Sequence, residues 1–174
     1  MMRWMRIVLT LVLCLIPAAA FADGFFSVGI GASSKVLSKT ERTYPWQLGF
    51  VSHNGWIGFD GEYGAIMTSG DLAPNLRTLG ASLRIGRRFS AWRPYGSVGW
   101  ATLGTLGDVS DAIKIMGDSV ISNSIITFGG GLMGELAKHA GVQVDIRIFH
   151  DLQNTPGDTQ IQFTRAAASF YIKF

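Results

Sequence analysis

The feature that most limits what this chain can fold into is a strict two-residue alternation near its end. In Gly141-Val-Gln-Val-Asp-Ile-Arg-Ile-Phe149, Val142, Val144, Ile146 and Ile148 share one face, while Gln143, Asp145 and Arg147 share the other. A helix, repeating about every 3.6 residues, would mix the two sets. A strand separates them into one apolar and one polar surface. The last segment does the same, with Thr164, Ala166, Ala168, Phe170, Ile172 and Phe174 opposite Arg165, Ser169, Tyr171 and Lys173.

Six earlier segments read as strands: Phe25 to Ala32, Tyr44 to Val51, Trp56 to Ala65, Leu76 to Arg88, Arg93 to Leu103 and Ser124 to Glu135. Their lengths bracket the roughly 9 to 11 residues that a tilted strand needs to cross a bilayer. The total is eight, and an even number is expected of a membrane barrel.

The connections fall into two classes. Ser52-His53-Asn54-Gly55, Phe89-Ser90-Ala91-Trp92 and Leu136 to Ala140 are short, and all lie on the periplasmic side if Phe25 starts there. Asn54-Gly55 is the favoured pair for a tight type I′ turn, where both central residues need positive φ. The alternate connections, Ser33 to Thr43, Ile66 to Asn75, Gly104 to Asn123 and His150 to Thr159, are longer and rich in Gly, Asp, Ser, Thr and Pro. Short turns on one side and long loops on the other are the asymmetry of bacterial outer-membrane barrels.

The start of the chain reads as an export signal. Arg3 and Arg6 precede the apolar run Ile7 to Leu15, and Ala20-Phe21-Ala22 offers the small-x-small pattern cut by signal peptidase. Pro17 interrupts the apolar stretch, which falls short of the roughly 20 residues of a spanning helix. Residues 1–22 are therefore expected to be removed and residues 23–174 to form one domain. Without Arg3 and Arg6 the charges are 13 basic against 12 acidic, a net +1, which gives no basic face for nucleic acid. The single cysteine, Cys14, lies inside the signal. Disulfides and thiolate metal sites are thus excluded from the mature chain, and Leu13 is too large for the position before a lipoprotein cysteine. No later run of 18 apolar residues exists, which rules out a helical membrane protein.

Phe128-Gly-Gly-Gly131, a short turn and Val-Gln-Val-Asp-Ile-Arg-Ile-Phe149 together resemble the penultimate hairpin of the small outer-membrane β-barrels. That family is typified by the OmpA transmembrane domain and the OmpX/Ail proteins. Arg93-Pro-Tyr-Gly-Ser-Val-Gly99 resembles its central strand. Phe170, Ile172 and Phe174 resemble the C-terminal signal read by the barrel-assembly machinery. The resemblance implies an all-β, eight-stranded antiparallel up-and-down transmembrane barrel in the bacterial outer membrane. It says little of activity, because this scaffold hosts adhesins, structural proteins and enzymes.

Sidedness follows from charge. Asp60, Glu62, Arg84, Arg88, Glu135, Asp145, Arg147, Arg165 and Lys173 all point with the polar residues. Arg or Lys on the lipid face near the midplane would cost roughly 2–4 kcal/mol each, so an interior charge network is expected. Neighbouring strands would set Asp60 and Glu62 near Arg84 and Arg88, and Asp145 near Arg165 or Lys173. Gly29, Gly31, Gly49, Gly58, Gly64, Gly80, Gly86, Gly129 and Gly131 fall mostly on the same face. They leave room for the charged groups in a lumen just wide enough for side chains. The expected interior is closed and polar. Aromatics collect near strand ends: Phe26, Phe50, Phe89, Trp92 and Phe174 at the periplasmic belt, and Tyr44, Trp46, Tyr63 and Phe163 toward the outer end, with an inward facing left open for Phe163.

The motifs for chemistry are sparse. Gly129-Gly-Gly131-Leu-Met-Gly134 matches G-x-G-x-x-G, but the next strand follows too soon for the helix of a dinucleotide site. Lipid modification needs a base and a nucleophile at the outer rim, where His150 and Asp151 lie with Thr159 or Thr164 as hydroxyl partners. There is no Gly-x-Ser-x-Gly elbow, and no His-x-Ser-Asn pattern surrounds His150. His53 and His139 lie in periplasmic turns. Asp108, Asp111 and Asp118 match no calcium loop. Lys35, Lys39 and Arg42 are candidates to touch lipopolysaccharide phosphates. The expectation is a non-enzymatic, monomeric barrel without metal or cofactor, serving envelope integrity or surface interaction through its loops. Its expected partners are outer-membrane lipid, lipopolysaccharide and, during biogenesis, the assembly machinery. The alternatives are a lipid A-modifying enzyme and a soluble periplasmic barrel with an apolar ligand.

Overall fold

The computed structural model describes residues 22–34, 40–52, 56–68, 75–105, 120–152 and 161–174. They form eight strands: β1 (Ala22–Ser33), β2 (Glu41–Ser52), β3 (Ile57–Met67), β4 (Leu76–Gly86), β5 (Trp92–Thr105), β6 (Val120–Ala137), β7 (Ala140–Asp151) and β8 (Gln162–Lys173). Every strand pairs antiparallel with its sequence neighbours, and β1 pairs with β8 from Phe25↔Lys173 to Ser33↔Arg165. The sheet is therefore a closed barrel. Closure leaves no edge with unpaired N–H and C=O groups, as a sheet in hydrocarbon requires.

Most strand ends differ from the sequence reading by a few residues, and β6 differs the most. β6 starts at Val120, where Val120 pairs with Gly104 across a shifted register, so the strand extends into the expected third long loop. At its other end β6 runs to Ala137 and pairs with Ala140, which shrinks the expected turn to Lys138-His139. A register shift between Glu135 and Ala137 absorbs the extra residue. The Phe89–Trp92 turn is closed by reciprocal backbone bonds of 2.7 and 2.9 Å, with Ser90 at φ 57°. Asn54-Gly55 lies outside the described residues.

Alternation decides which way each strand faces. Val144 and Ile146 are 53% and 55% exposed, whereas Asp145 and Arg147 between them are each 2% exposed. Leu48, Ile57, Ile85, Val98, Trp100 and Phe170 likewise face outward. A water-soluble barrel would invert this arrangement.

The interior is layered. Ile66, Leu76, Ala101, Leu103, Ile125, Phe149 and Phe163 pack together inside the outer half. Phe25, Val51, Tyr95, Met133 and Tyr171 form a second apolar layer toward the periplasmic end. The lumen is thus mixed rather than uniformly polar, a correction to the sequence reading. Phe163, at the outer end with its facing left open by the sequence, points inward and stacks on Phe149 with centroids 4.4 Å apart.

Candidate functional site

Between the two apolar layers, the inward positions of β3, β4, β7 and β8 converge on an ionic layer. Asp60 and Glu62 are adjacent inward residues of β3, and Asp145 and Arg147 those of β7. Arg84 Nε donates to Asp60 Oδ1 at 2.6 Å, and Arg147 Nη2 donates to Asp60 Oδ2 at 3.0 Å. Arg165 grips Glu62 with two parallel hydrogen bonds, Nη2 reaching Oε2 at 2.7 Å. Arg147 Nη1 lies 3.3 Å from Glu62, and its Nε donates to Asp145 Oδ2 at 3.2 Å. Arg165 Nη2 lies 3.4 Å from Asp145 Oδ1. Three guanidinium groups therefore meet three carboxylates, and the layer is neutral.

Polar side chains complete it. Gln47 Oε1 accepts from Arg84 Nη2 at 2.8 Å and from Gln143 Nε2 at 2.9 Å, while Gln47 Nε2 donates to Glu62 at 2.8 Å. Arg147 Nη1 donates to Ser82 Oγ at 2.8 Å, and Tyr95 donates to Asp145 at 3.1 Å. The Arg84 guanidinium lies over the rings of Tyr95 and Phe25, 4.5 and 4.9 Å from their centroids. Tyr95 fits because glycine stands opposite it on both neighbouring strands, Gly86 on β4 and Gly131 on β6. A Cβ at Gly131 would overlap the Val144 carbonyl and stand 2.7 Å from the Tyr95 hydroxyl.

The other three charged residues read from the sequence lie in a second cluster at the periplasmic rim. Glu135 accepts from Arg88 at 2.7 Å and from Lys173 at 2.6 Å, with Arg93 at 3.7 Å. Lys173 also lies 3.9 Å from Asp23. The nine residues thus form two clusters rather than one, and one expected pairing is corrected: Glu62 meets Arg165 and Arg147, not Arg84 or Arg88. Of the two partners expected for Asp145, Arg165 is the one found, while Lys173 meets Glu135. The cause is that inward side chains reach across the lumen. β3 and β8 are not hydrogen-bonded neighbours, yet Glu62 and Arg165 make the bidentate pair. Arg93, Gln47 and Tyr95 were missed, although alternation within their strands places each on the inward face, and Gln143, read on the polar face, joins the network as well.

The rim candidates for catalysis do not converge. His150 is half-buried on the outward side of β7, while Asp151 is buried on the inward side. Thr164 is engaged through its backbone N–H, which donates to Ser34 Oγ at 3.0 Å. Among the described residues, no group of three or more His, Cys, Asp or Glu is placed to hold a metal. Thr159, His53, Lys35, Lys39, Asp108, Asp111, Asp118 and the expected signal up to residue 21 lie outside the described residues.

A model of the outer membrane protein beta-barrel domain matches residues 7–174. The chain belongs to that family. No curated protein matches the sequence. Among solved structures the barrel is similar to Neisserial surface protein A, at 13% identity and a TM-score of 0.62, covering 88% of this chain and 97% of that one. It is also similar to the N-terminal barrel of Pseudomonas aeruginosa OprF, at 16% identity and a TM-score of 0.56, covering 88% and 98%. The outer membrane enzyme PagL matches at 15% identity and a TM-score of 0.54, covering 85% and 98%. At these identities the likeness is one of fold.

Proposed function

We propose that this outer-membrane barrel protein is non-enzymatic and acts through its wall and extracellular loops, in envelope integrity or surface attachment. Residues 1–22 are removed on export, and the outward row Phe170, Ile172 and Phe174 is read by the assembly machinery. The observation that carries the reading is the lumen. Six of its charged groups pair with one another in a neutral layer held between two apolar layers, a construction suited to a rigid plug. A conducting pore would keep polar groups facing water, and a hydrolase would keep a base and nucleophile on one face.

The second reading, lipid A modification, is favoured by the likeness to PagL, an enzyme on the same fold. The placement of His150 and Asp151 on opposite sides of the wall weighs against a relay between them. Mass spectra of lipid A from cells with and without the gene distinguish the readings. Identical acylation is expected, and a lost or gained acyl chain would establish the enzyme. Planar-bilayer recording should show no steady conductance, and a stable open level would overturn the closed lumen.

A further inference from the structure

The outer apolar layer of the lumen is incomplete. β3 to β8 each contribute to it, while β1 and β2 supply no member among the described residues. At the same level these two strands present Ser33, Glu41 and Thr43 instead. Thr43 stands directly opposite Ile66 of the layer, and Ser33 directly opposite Glu41. All three are buried, Glu41 to 4% exposure. The layer therefore has a polar notch on one side.

The notch collects unpartnered atoms. Ser33 Oγ, Glu41 Oε2 and Thr43 Oγ1 are buried without a hydrogen-bond partner. So is Nε of Arg165, which faces Ser33 from β8. Among the described residues there are five such side-chain atoms, and four lie at this corner. The charge on Glu41 also lacks a base. Arg42 beside it faces outward, and Arg165 is spent on Glu62 and Asp145. Among the described residues Glu41 makes no ion pair. Buried charges are paired or coordinate metals, because leaving water uncompensated is costly. Water alone satisfies the hydrogen bonds of the notch without neutralising it.

We infer that the notch binds one hard metal cation, of the sodium or calcium class, through Glu41 Oε2 and the hydroxyls of Ser33 and Thr43. The donor chemistry selects the occupant. All three ligands are oxygens and one is anionic, which suits a hard cation and disfavours anions and soft metals. Spacing agrees. Directly opposed residues have Cβ atoms roughly 4.5–5.5 Å apart, and the next inward residue lies about 7 Å along the strand. Two short side chains and one long one can thus close on an ion at roughly 2.3–2.6 Å. Water completes the shell from the extracellular end and accepts from Arg165 Nε. The ion fills the gap in the layer rather than passing it. The assignment goes beyond the envelope role and holds whether or not the protein is an enzyme.

The test is denaturant titration of the mature protein refolded into phosphatidylcholine vesicles, in sodium, calcium or choline chloride at equal ionic strength. An ion that binds only the folded barrel lowers the unfolding equilibrium constant about elevenfold at ten times its dissociation constant. Sodium, calcium or both should give this saturating gain over choline, and the ion that gives it is the occupant. Glu41→Gln should remove the gain. In choline the same variant should be at least as stable as the wild type, because an uncompensated charge is gone. Thr43→Val keeps the shape without the hydroxyl and should weaken ion binding about tenfold. Glu135→Gln, at the periplasmic rim, should keep the full gain. Heat-modifiable gel mobility reports separately whether each variant folds. Equal wild-type stability in all three salts would overturn the inference and leave water in the notch. So would an undiminished gain in folded Glu41→Gln.

Discussion

The lumen holds two clusters of the same residue types that differ in how much water reaches them. In the middle layer the side chains of Arg147 and Asp60 are 3% and 0% exposed, whereas at the periplasmic rim those of Arg88 and Glu135 are 35% and 19% exposed. The hydrogen-bond distances are alike, so geometry alone would rank the two pairs together. Their environments separate them. A buried charge that loses its partner keeps its full desolvation cost, while a rim charge is rehydrated. The middle layer is therefore a fixed tie across the barrel, and the rim cluster an adjustable fringe.

The comparison breaks most readily at Arg147. Arg147→Met removes a cation that contacts Asp60, Glu62 and Asp145, leaving the layer one negative charge in excess. The expected loss is about 3–5 kcal/mol, read from denaturant titration of the barrel refolded into lipid vesicles. Arg88→Met, at the rim, should cost at most about 1 kcal/mol. Equal losses would erase the distinction. Adding Asp145→Asn to Arg147→Met restores neutrality and should recover part of the loss, because the two sites share partners.

The wall itself offers the next test. Ile146 and Arg147 are neighbours on β7 that face opposite ways, one toward lipid and one toward the lumen. Ile146→Arg places the same guanidinium on the other side and should cost roughly 2–4 kcal/mol in the same titration. A neutral result would place that face outside hydrocarbon. A smaller effect is expected at Gly131. Gly131→Ala crowds Tyr95, which braces Arg84 and Asp145, and should cost about 1–3 kcal/mol as overpacking does. Gly61→Ala, with open space around it, should leave the midpoint unchanged.

How far these features could be read from residues depends on the kind of information each needs. Alternation fixes which side of the wall a side chain takes, so Val144, Asp145, Ile146 and Arg147 were legible without coordinates. Depth within the lumen is a different quantity. It depends on stagger accumulated around eight strands, which pairwise reasoning between neighbours does not supply. Glu62 on β3 finds Arg165 on β8 only after closure, and Lys173 finds Glu135 because both end at the rim. The apolar layers were hidden for a related reason. Leu76 and Leu103 point inward beside the polar outward neighbours Arg77 and Thr102, so near the outer rim the contrast between the two faces runs the other way.

Salt gives the smallest and most discriminating effect. At 1 M ionic strength the screening length falls to about 3 Å, which weakens interactions between charges that water can reach. Glu135→Gln removes the negative charge opposite Arg88 and Lys173 and should cost about 0–1 kcal/mol at low salt, and close to nothing at 1 M. Glu62→Gln should be costly at both, since ions do not enter a layer sealed by Phe149 and Phe163 on one side and by Phe25 and Tyr95 on the other. The decisive quantity is the difference in salt dependence between the two variants rather than either loss alone. If the cost of Glu62→Gln also vanished in salt, water and ions would have to reach the middle of the lumen. The barrel would then be open at a point where its layers require it to be shut.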